Sequence, residues 1–178
     1  GTGSYFSFHF DGDVGHLSQD SGGGDLVHRT FSGNLWSPTS TVASGPSVGL
    51  ENDMVDLNGK KHVSYFSSDN NRVNYATNAS GNWITETGLA PARLDQTSII
   101  TVNGHPHIAY VNDNYNIGHL SKPNGVWQNQ NLVHTGTNPI IRSDSQDRLH
   151  LLFYDAGLRH AVSTGSLWNV VSIPNTPH

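Results

Sequence analysis

The sequence predicts an all-β fold assembled from four copies of one small unit, and three observations carry that prediction. The first is composition. Of 178 residues only 13% are charged, about half the usual ~25%, while 19 Gly and 8 Pro accompany abundant Asn, Ser and Thr. Turn formers and short polar residues favour strands joined by tight turns over helices. The second is spacing: the four tryptophans, Trp36, Trp83, Trp127 and Trp168, stand 47, 44 and 41 residues apart. The third is a register of other residues that repeats with them.

Ten residues before each Trp lies an aliphatic residue, Leu26, Val73, Ile117 or Leu158, and two positions after it His28, Tyr75, His119 or His160. A glycine (Gly33, Gly81, Gly125, Gly165) precedes each Trp by two or three residues. Upstream, a histidine opens an apolar stretch in every unit: His16-Leu17, His62-Val63, His107-Ile108 and His150-Leu151. Turn pairs stand just before them, Asp11-Gly12, Asn58-Gly59 and Asn103-Gly104, with Ser145-Gln146-Asp147 in the fourth unit. Each unit therefore reads as four short strands. In the second unit these fall near 54–57, 62–66 and 73–77 and from Trp83 onward. The first unit is the least regular, with a longer turn at Asp20-Ser21-Gly22-Gly23-Gly24.

Four strands in about 40–45 residues is what a propeller blade requires. Blades pack face to face, so both faces of a strand are partly buried and the apolar alternation is imperfect. The prediction is one β-propeller domain over 1–178, with blades at about 1–44, 45–92, 93–136 and 137–178. The first strand is expected at Tyr5–Phe10 and the last at Trp168–Ile173, which leaves no strand over to complete a terminal blade. A compact four-bladed ring is the favoured arrangement. Part of a larger propeller, or one ring formed by two chains, are the alternatives, because a half-ring exposes two apolar blade faces.

The pattern His-Ile/Val-Ser/Ala-Tyr, then Val/Leu-x-Tyr/His-Ala-Thr/Ser, then Gly-x-Trp is clearest in His62–Trp83 and His107–Trp127. It resembles the repeats of bacterial β-propellers, among them lectins and polysaccharide-active enzymes. The resemblance spans the chain and implies architecture more than activity. The first unit departs most, with Ser18-Gln19 where Tyr or Phe follows elsewhere. The Ser-x-Asp-x-Gly-x-Thr-x-Trp box of sialidase-like propellers is absent.

Several function classes fall away. A net charge of −5 with nine scattered Lys and Arg offers neither the basic face of a nucleic-acid binder nor a polybasic membrane patch. Apolar runs of four or five residues are too short for a spanning helix. Without Cys there is no disulfide framework, thiolate chemistry or Cys-ligated zinc. The opening Gly reads as a processed or excised product, and the Cys-free, Asn/Ser/Thr-rich composition as a secreted or cell-surface bacterial protein.

Eleven histidines invite a metal reading. Seven of them occupy the two repeat positions, and a residue recurring once per blade is most economically structural, for example an imidazole bonding a backbone carbonyl. His105-Pro106-His107 places two imidazoles on one strand face without a third ligand, so no metal site is assigned. No other cofactor is expected. The turns Asp69-Asn70-Asn71, Asn112-Asp113-Asn114 and Asp155-Ala156-Gly157 carry oxygens suited to sugar hydroxyls or to calcium, although such residues commonly just build the turn.

The ligand-binding candidates are the repeated aromatics themselves: Trp36, Trp83, Trp127 and Trp168 with His28, Tyr75, His119 and His160. Trp can pack one blade on the next or present its face to a pyranose, and repetition suits both roles. Catalysis should break the four-fold pattern, and Tyr75, Arg72 and His119 are the irregular residues a polysaccharide lyase would need to bring together. No residue is assigned as catalytic. The sequence thus points to a lectin-like propeller with a carbohydrate partner at repeated sites between blades, and it leaves homo-oligomerisation open. A polysaccharide lyase or other polysaccharide-active enzyme, and a structural or protein-interaction propeller, are the alternatives.

Overall fold

A computed structural model describes residues 5–165 and 167–174. Residues 1–4 and 175–178, which the expected first and last blades include, lie outside the described residues. The chain forms four antiparallel sheets, each made of strands consecutive in sequence, and these are the four propeller blades. The first contains β1 (Phe6–Asp11), β2 (Val14–Asp20), β3 (Leu26–Ser32) and an outer strand in two pieces, β4 (Leu35–Trp36) and β5 (Ser40–Ala43). The second contains β6 (Leu50–Leu57), β7 (Lys60–Ser67), β8 (Arg72–Thr77) and β9 (Ile84–Pro91). The third contains β10 (Ser98–Val102), β11 (His105–Val111), β12 (Asn116–Ser121) and β13 (Gln128–Thr135). The fourth contains β14 (Thr137–Ser143), β15 (Leu149–Tyr154), β16 (Leu158–Ser163) and β17 (Trp168–Ser172). The split between β4 and β5 falls at Pro38, which has no N–H to give to the ladder.

Turn chemistry sets the register. Leu57 pairs with Lys60 and Val102 with His105, so Asn58-Gly59 and Asn103-Gly104 are two-residue hairpin loops. All four loop residues have positive φ, from 51° to 77°, the geometry that matches strand twist and that Asn-Gly adopts most easily. In the first blade the hairpin sits one residue later than expected, since Asp11 itself pairs with Val14 and Gly12 takes the positive φ.

The core lies between blades. Three buried clusters each draw on two consecutive sheets. Leu26, Val42 and Val48 meet Met54, Val63 and Tyr65; Phe66, Val73 and Tyr75 meet Ile99, Ile108 and Tyr110; Val111, Ile117 and Leu132 meet Ile141, Leu151 and Phe153. Strand packing follows the same path, through β1 on β6, β6 on β10, and β10 and β11 on β14. Among the described residues no buried cluster joins the first blade to the fourth.

One packing detail carries a prediction. Gly118 stands opposite Tyr110 in the β11–β12 register, and a Cβ there would come within 2.2 Å of the Tyr110 ring. Tyr110 is fully buried and its hydroxyl donates to Asn129 Oδ1 at 2.9 Å, so the ring has little room to yield. Gly118→Ala should destabilise the fold by about 2 kcal/mol through overpacking, read as a lower urea midpoint with an unchanged slope.

Candidate functional site

The repeated aromatics meet across seams between blades. His28 in β3 lies 5.5 Å from the ring of Trp83, Tyr75 in β8 lies 5.2 Å from Trp127, and His119 in β12 lies 5.3 Å from Trp168. All three contacts are edge-to-face, with interplanar angles of 62°, 72° and 78°, as ring quadrupoles prefer. Each therefore joins the third strand of one blade to the Trp that opens the outer strand of the next. His28, Tyr75 and His119 are buried, while Trp83, Trp127 and Trp168 are half-buried. Trp127 Nε1 donates to Glu86 at 2.8 Å and Trp168 Nε1 to Gln130 at 3.1 Å, both acceptors lying on the preceding blade. Trp36 and His160, the first and last members of the series, do not meet. Trp36 packs on Phe8 and Phe31 of its own blade.

The two repeat histidine positions also meet, within each blade. His16 Nδ1 lies 3.2 Å from His28 Nε2, His107 Nδ1 3.0 Å from His119 Nε2, and His150 Nδ1 2.9 Å from His160 Nε2. In the second blade Tyr75 replaces the second imidazole, and its hydroxyl hydrogen-bonds His62. The expected bond to a backbone carbonyl is thus replaced by imidazole–imidazole pairing, because neighbouring antiparallel strands place the two rings diagonally on one face. The three His–His pairs are stacked, within 15° of parallel. An N–H···N bond of this kind needs at least one neutral ring. Burial supplies it, pushing His28, His107 and His119 down to about 4, with neighbouring imidazoles adding to the effect. In the fourth blade Asp144 Oδ2 lies 3.1 Å from His150 Nε2, so that nitrogen donates to the carboxylate.

A groove of about 560 Å³ opens above the seam of the third and fourth blades, within the size range of small-ligand sites. Its floor holds His107 and His119, its polar walls Gln128, Asn129, Gln130 and Asp147, and its apolar patches Val102 and Leu149. Gln130, held by Trp168 Nε1, also hydrogen-bonds His119, so the seam aromatics fix one wall of the groove. On the opposite rim, where the second and third strands of each blade turn, two further grooves lie between blades. One of about 630 Å³ runs between Asn70 and Asp113, and one of about 440 Å³ between Tyr115 and Asp155. Arg93 stacks over Tyr115 with its guanidinium 3.7 Å from the ring centre.

Of the eight sequence candidates, His119 lines the groove over the third and fourth blades, Trp168 a smaller neighbour and His160 a pocket on the outer face of the fourth blade. His28, Tyr75, Trp83 and Trp127 belong to the seams. The groove's amides escaped sequence reading because Gln128, Asn129 and Gln130 alternate along one outer strand and have no counterparts in the repeat. The irregular residues of the lyase reading are dispersed. Arg72 lines the groove on the opposite rim, His119 lies over the third seam, and Tyr75 is buried in the second with its hydroxyl pushed up to about 12 by burial. The turn residue Asn112 builds its turn, its Oδ1 accepting the N–H groups of Asn114 and Asn116 at 2.9 Å each. Among the described residues no three His, Cys, Asp or Glu side chains gather as metal ligands.

The chain matches no protein-family model and no curated protein sequence. Solved structures do share its fold. AofleA from Arthrobotrys oligospora superposes with a TM-score of 0.72 at 14% identity, over 95% of this chain and 56% of its own. A mutant Aleuria aurantia lectin in complex with Fucα1-6GlcNAc gives 0.69 at 13% identity, over 97% and 62%. Bacteroides ovatus Xyloglucan PUL GH43B gives 0.61 at 14% identity, over 99% and 42%. The chain spans less than two thirds of each of these neighbours. The shared feature is the propeller fold, in lectins and in a glycoside-hydrolase-family protein alike.

Proposed function

We propose that this protein binds glycans without cleaving them, with the groove over the seam of the third and fourth blades as its principal site. The observation that carries the reading is the groove lining: amides, imidazoles and one carboxylate, Asp147, beside small apolar patches. Amides and a single acid hydrogen-bond sugar hydroxyls in both directions, and the apolar patches meet C–H faces. Glycoside hydrolysis requires two facing carboxylates, whereas the three larger grooves hold one each, Asp147, Asp113 and Asp155. Fold alone does not decide function, but lectins complexed with fucosides among the structural neighbours make methyl α-fucoside the first ligand to test. Secretion or cell-surface display would suit such a protein, and calcium would enter through the turn oxygens.

The test is titration calorimetry with methyl α-fucoside, followed by a glycan array with and without chelator. Saturable binding is expected, weakened about tenfold or more by Gln128→Ala or Asp147→Ala through loss of a hydrogen bond. Release of reducing sugar from the bound glycans is not expected. An array with no saturable signal, or binding indifferent to both substitutions, would overturn the assignment to this groove.

A further inference from the structure

Repetition gives every blade the same turn between its second and third strands. Two residues before the repeated aliphatic position the backbone is left-handed each time: Gly24 at φ 102°, Asn71 at 50°, Tyr115 at 64° and Ala156 at 49°. At three seams the carbonyl of that residue accepts an N–H from the chain leaving the outer strand. Val48 donates to Gly24 at 2.9 Å, Ala92 to Asn71 at 3.0 Å and Gly136 to Tyr115 at 2.9 Å. These matched bonds align the seams residue by residue. Arg72 then stands where the other blades have Asp25, Asn116 and Gly157, and Arg93 where the other seams have Gly49 and Thr137. Both arginines and Tyr115 meet at the seam of the second and third blades, where function is expected to break the repeat. We infer that this seam carries a second binding site, for the carboxylate of a uronic-acid saccharide, with Arg72 and Arg93 as its anion-binding residues.

The groove of about 630 Å³ at this seam is lined by both arginines, the amides of Asn70 and Asn71, Leu94 and one acid, Asp113. Arg72 pairs with Pro91, and the bond from Ala92 to Asn71 continues that pairing, so the chain carries Arg93 along the same edge. Arg93 N–H donates to Val111 O at 3.1 Å on the third blade, which fixes its backbone to both walls. Its guanidinium lies flat on the Tyr115 ring, a contact that leaves the in-plane N–H groups for a ligand. Among the described residues no acceptor holds that guanidinium and neither arginine is in an ion pair; Arg72 Nη1 donates to Gly88 O at 3.4 Å. Planar guanidinium forks match carboxylates. The exposed amides of Asn70 and Asn71 offer donors and acceptors that a hydroxyl-bearing ring uses and an acidic peptide side chain does not. Tyr115 adds a second observation. A bulky residue in the left-handed region is strained, and such strain gathers at functional sites. Here it sets a ring that is 51% exposed under Arg93. The corresponding groove at the next seam has no Lys or Arg in its wall, so the charge selects one seam. The inference is independent of whether the groove over the third and fourth blades binds glycan.

Titration calorimetry on the intact chain tests it with a galacturonate trimer, the fully methyl-esterified trimer and sodium acetate. One trimer per chain is expected to bind, more weakly as salt is added. The ester keeps the rings without the charge and acetate the charge without the rings, so each should bind about tenfold or more weaker. Arg93→Gln should weaken the trimer about tenfold or more, and Arg93→Lys nearly as much, because an ammonium lacks the fork. Asp113→Asn, which removes a like charge from the groove, should tighten it. Tyr115→Asn should raise the urea midpoint by relieving the left-handed strain and yet weaken the trimer, a split that a purely structural tyrosine would not give. Absence of saturable trimer binding would overturn the inference, as would equal binding of the ester or of acetate, or a trimer indifferent to Arg93→Gln. A tri-aspartate peptide bound as tightly as the trimer would overturn the saccharide assignment. Trimer binding lost in Gln128→Ala instead of in Arg93→Gln would place the uronate in the other groove and remove this site.

Discussion

Asp53→Ala is expected to lower stability by about 3 kcal/mol. The innermost strand of each blade is a sheet edge, and its N–H groups on the axis side have no strand to bond. Side chains of neighbouring blades take that place. Met54 N–H donates to Ser7 Oγ at 3.1 Å, Ile99 N–H to Asp53 Oδ2 at 3.0 Å, and Ile141 N–H to Ser98 Oγ at 3.3 Å. Asp53 is the hub of the series. Its Oδ1 accepts the Ser7 hydroxyl at 2.9 Å and its Oδ2 the Ser98 hydroxyl at 3.2 Å, so one carboxylate ties three consecutive blades. Alanine leaves the N–H of the buried Ile99 without a partner and releases both serines. Bonds to a charged acceptor contribute about 1.5–3 kcal/mol each, and a buried orphan donor costs about 1–3 kcal/mol. Asp53→Asn keeps one acceptor oxygen and should cost about half as much. Urea denaturation measures both, and a midpoint for the alanine variant within about 0.5 kcal/mol of wild type would remove Asp53 from this role.

Acidification should unfold the protein well before its carboxylates are exhausted. His28, His107 and His119 are held near 4, and His9, His16 and His62 below their ordinary value, in every case chiefly by burial. In the unfolded chain these rings titrate near 6.5. Between about 6.5 and about 4 the unfolded state therefore binds more protons than the folded one, and stability falls as pH falls. Each such imidazole contributes a slope of up to about 1.4 kcal/mol per pH unit, so several acting together remove stability steeply. The physical event is charging of rings packed against other rings: once both members of a pair are protonated, the N–H···N bond has no acceptor. Thermal midpoints measured from about pH 7.5 down to about pH 4.5 should be level at first and then drop. His28→Gln, which cannot titrate, should make the drop shallower. Midpoints that do not change across that window would contradict the neutral-pair account.

The sequence by itself determined the blades. Strand length, the Asn-Gly turns and the ten-residue step from aliphatic to Trp are local signals, and local hairpins obey them wherever the blades go. The irregular first unit was legible for the same reason. Tertiary structure decided everything that lies between blades. It set Trp83 on His28 and Trp168 on His119, and made Asp53, an unremarkable acid in the sequence, the hub of the axis. It also gathered Gln128, Asn129, Gln130 and Asp147 from two blades around one groove. Those contacts join residues far apart in the chain, and their partners are chosen by how sheets twist and stack. A periodic sequence specifies that each blade can receive a neighbour, and only the packed structure shows which side chains meet across each seam.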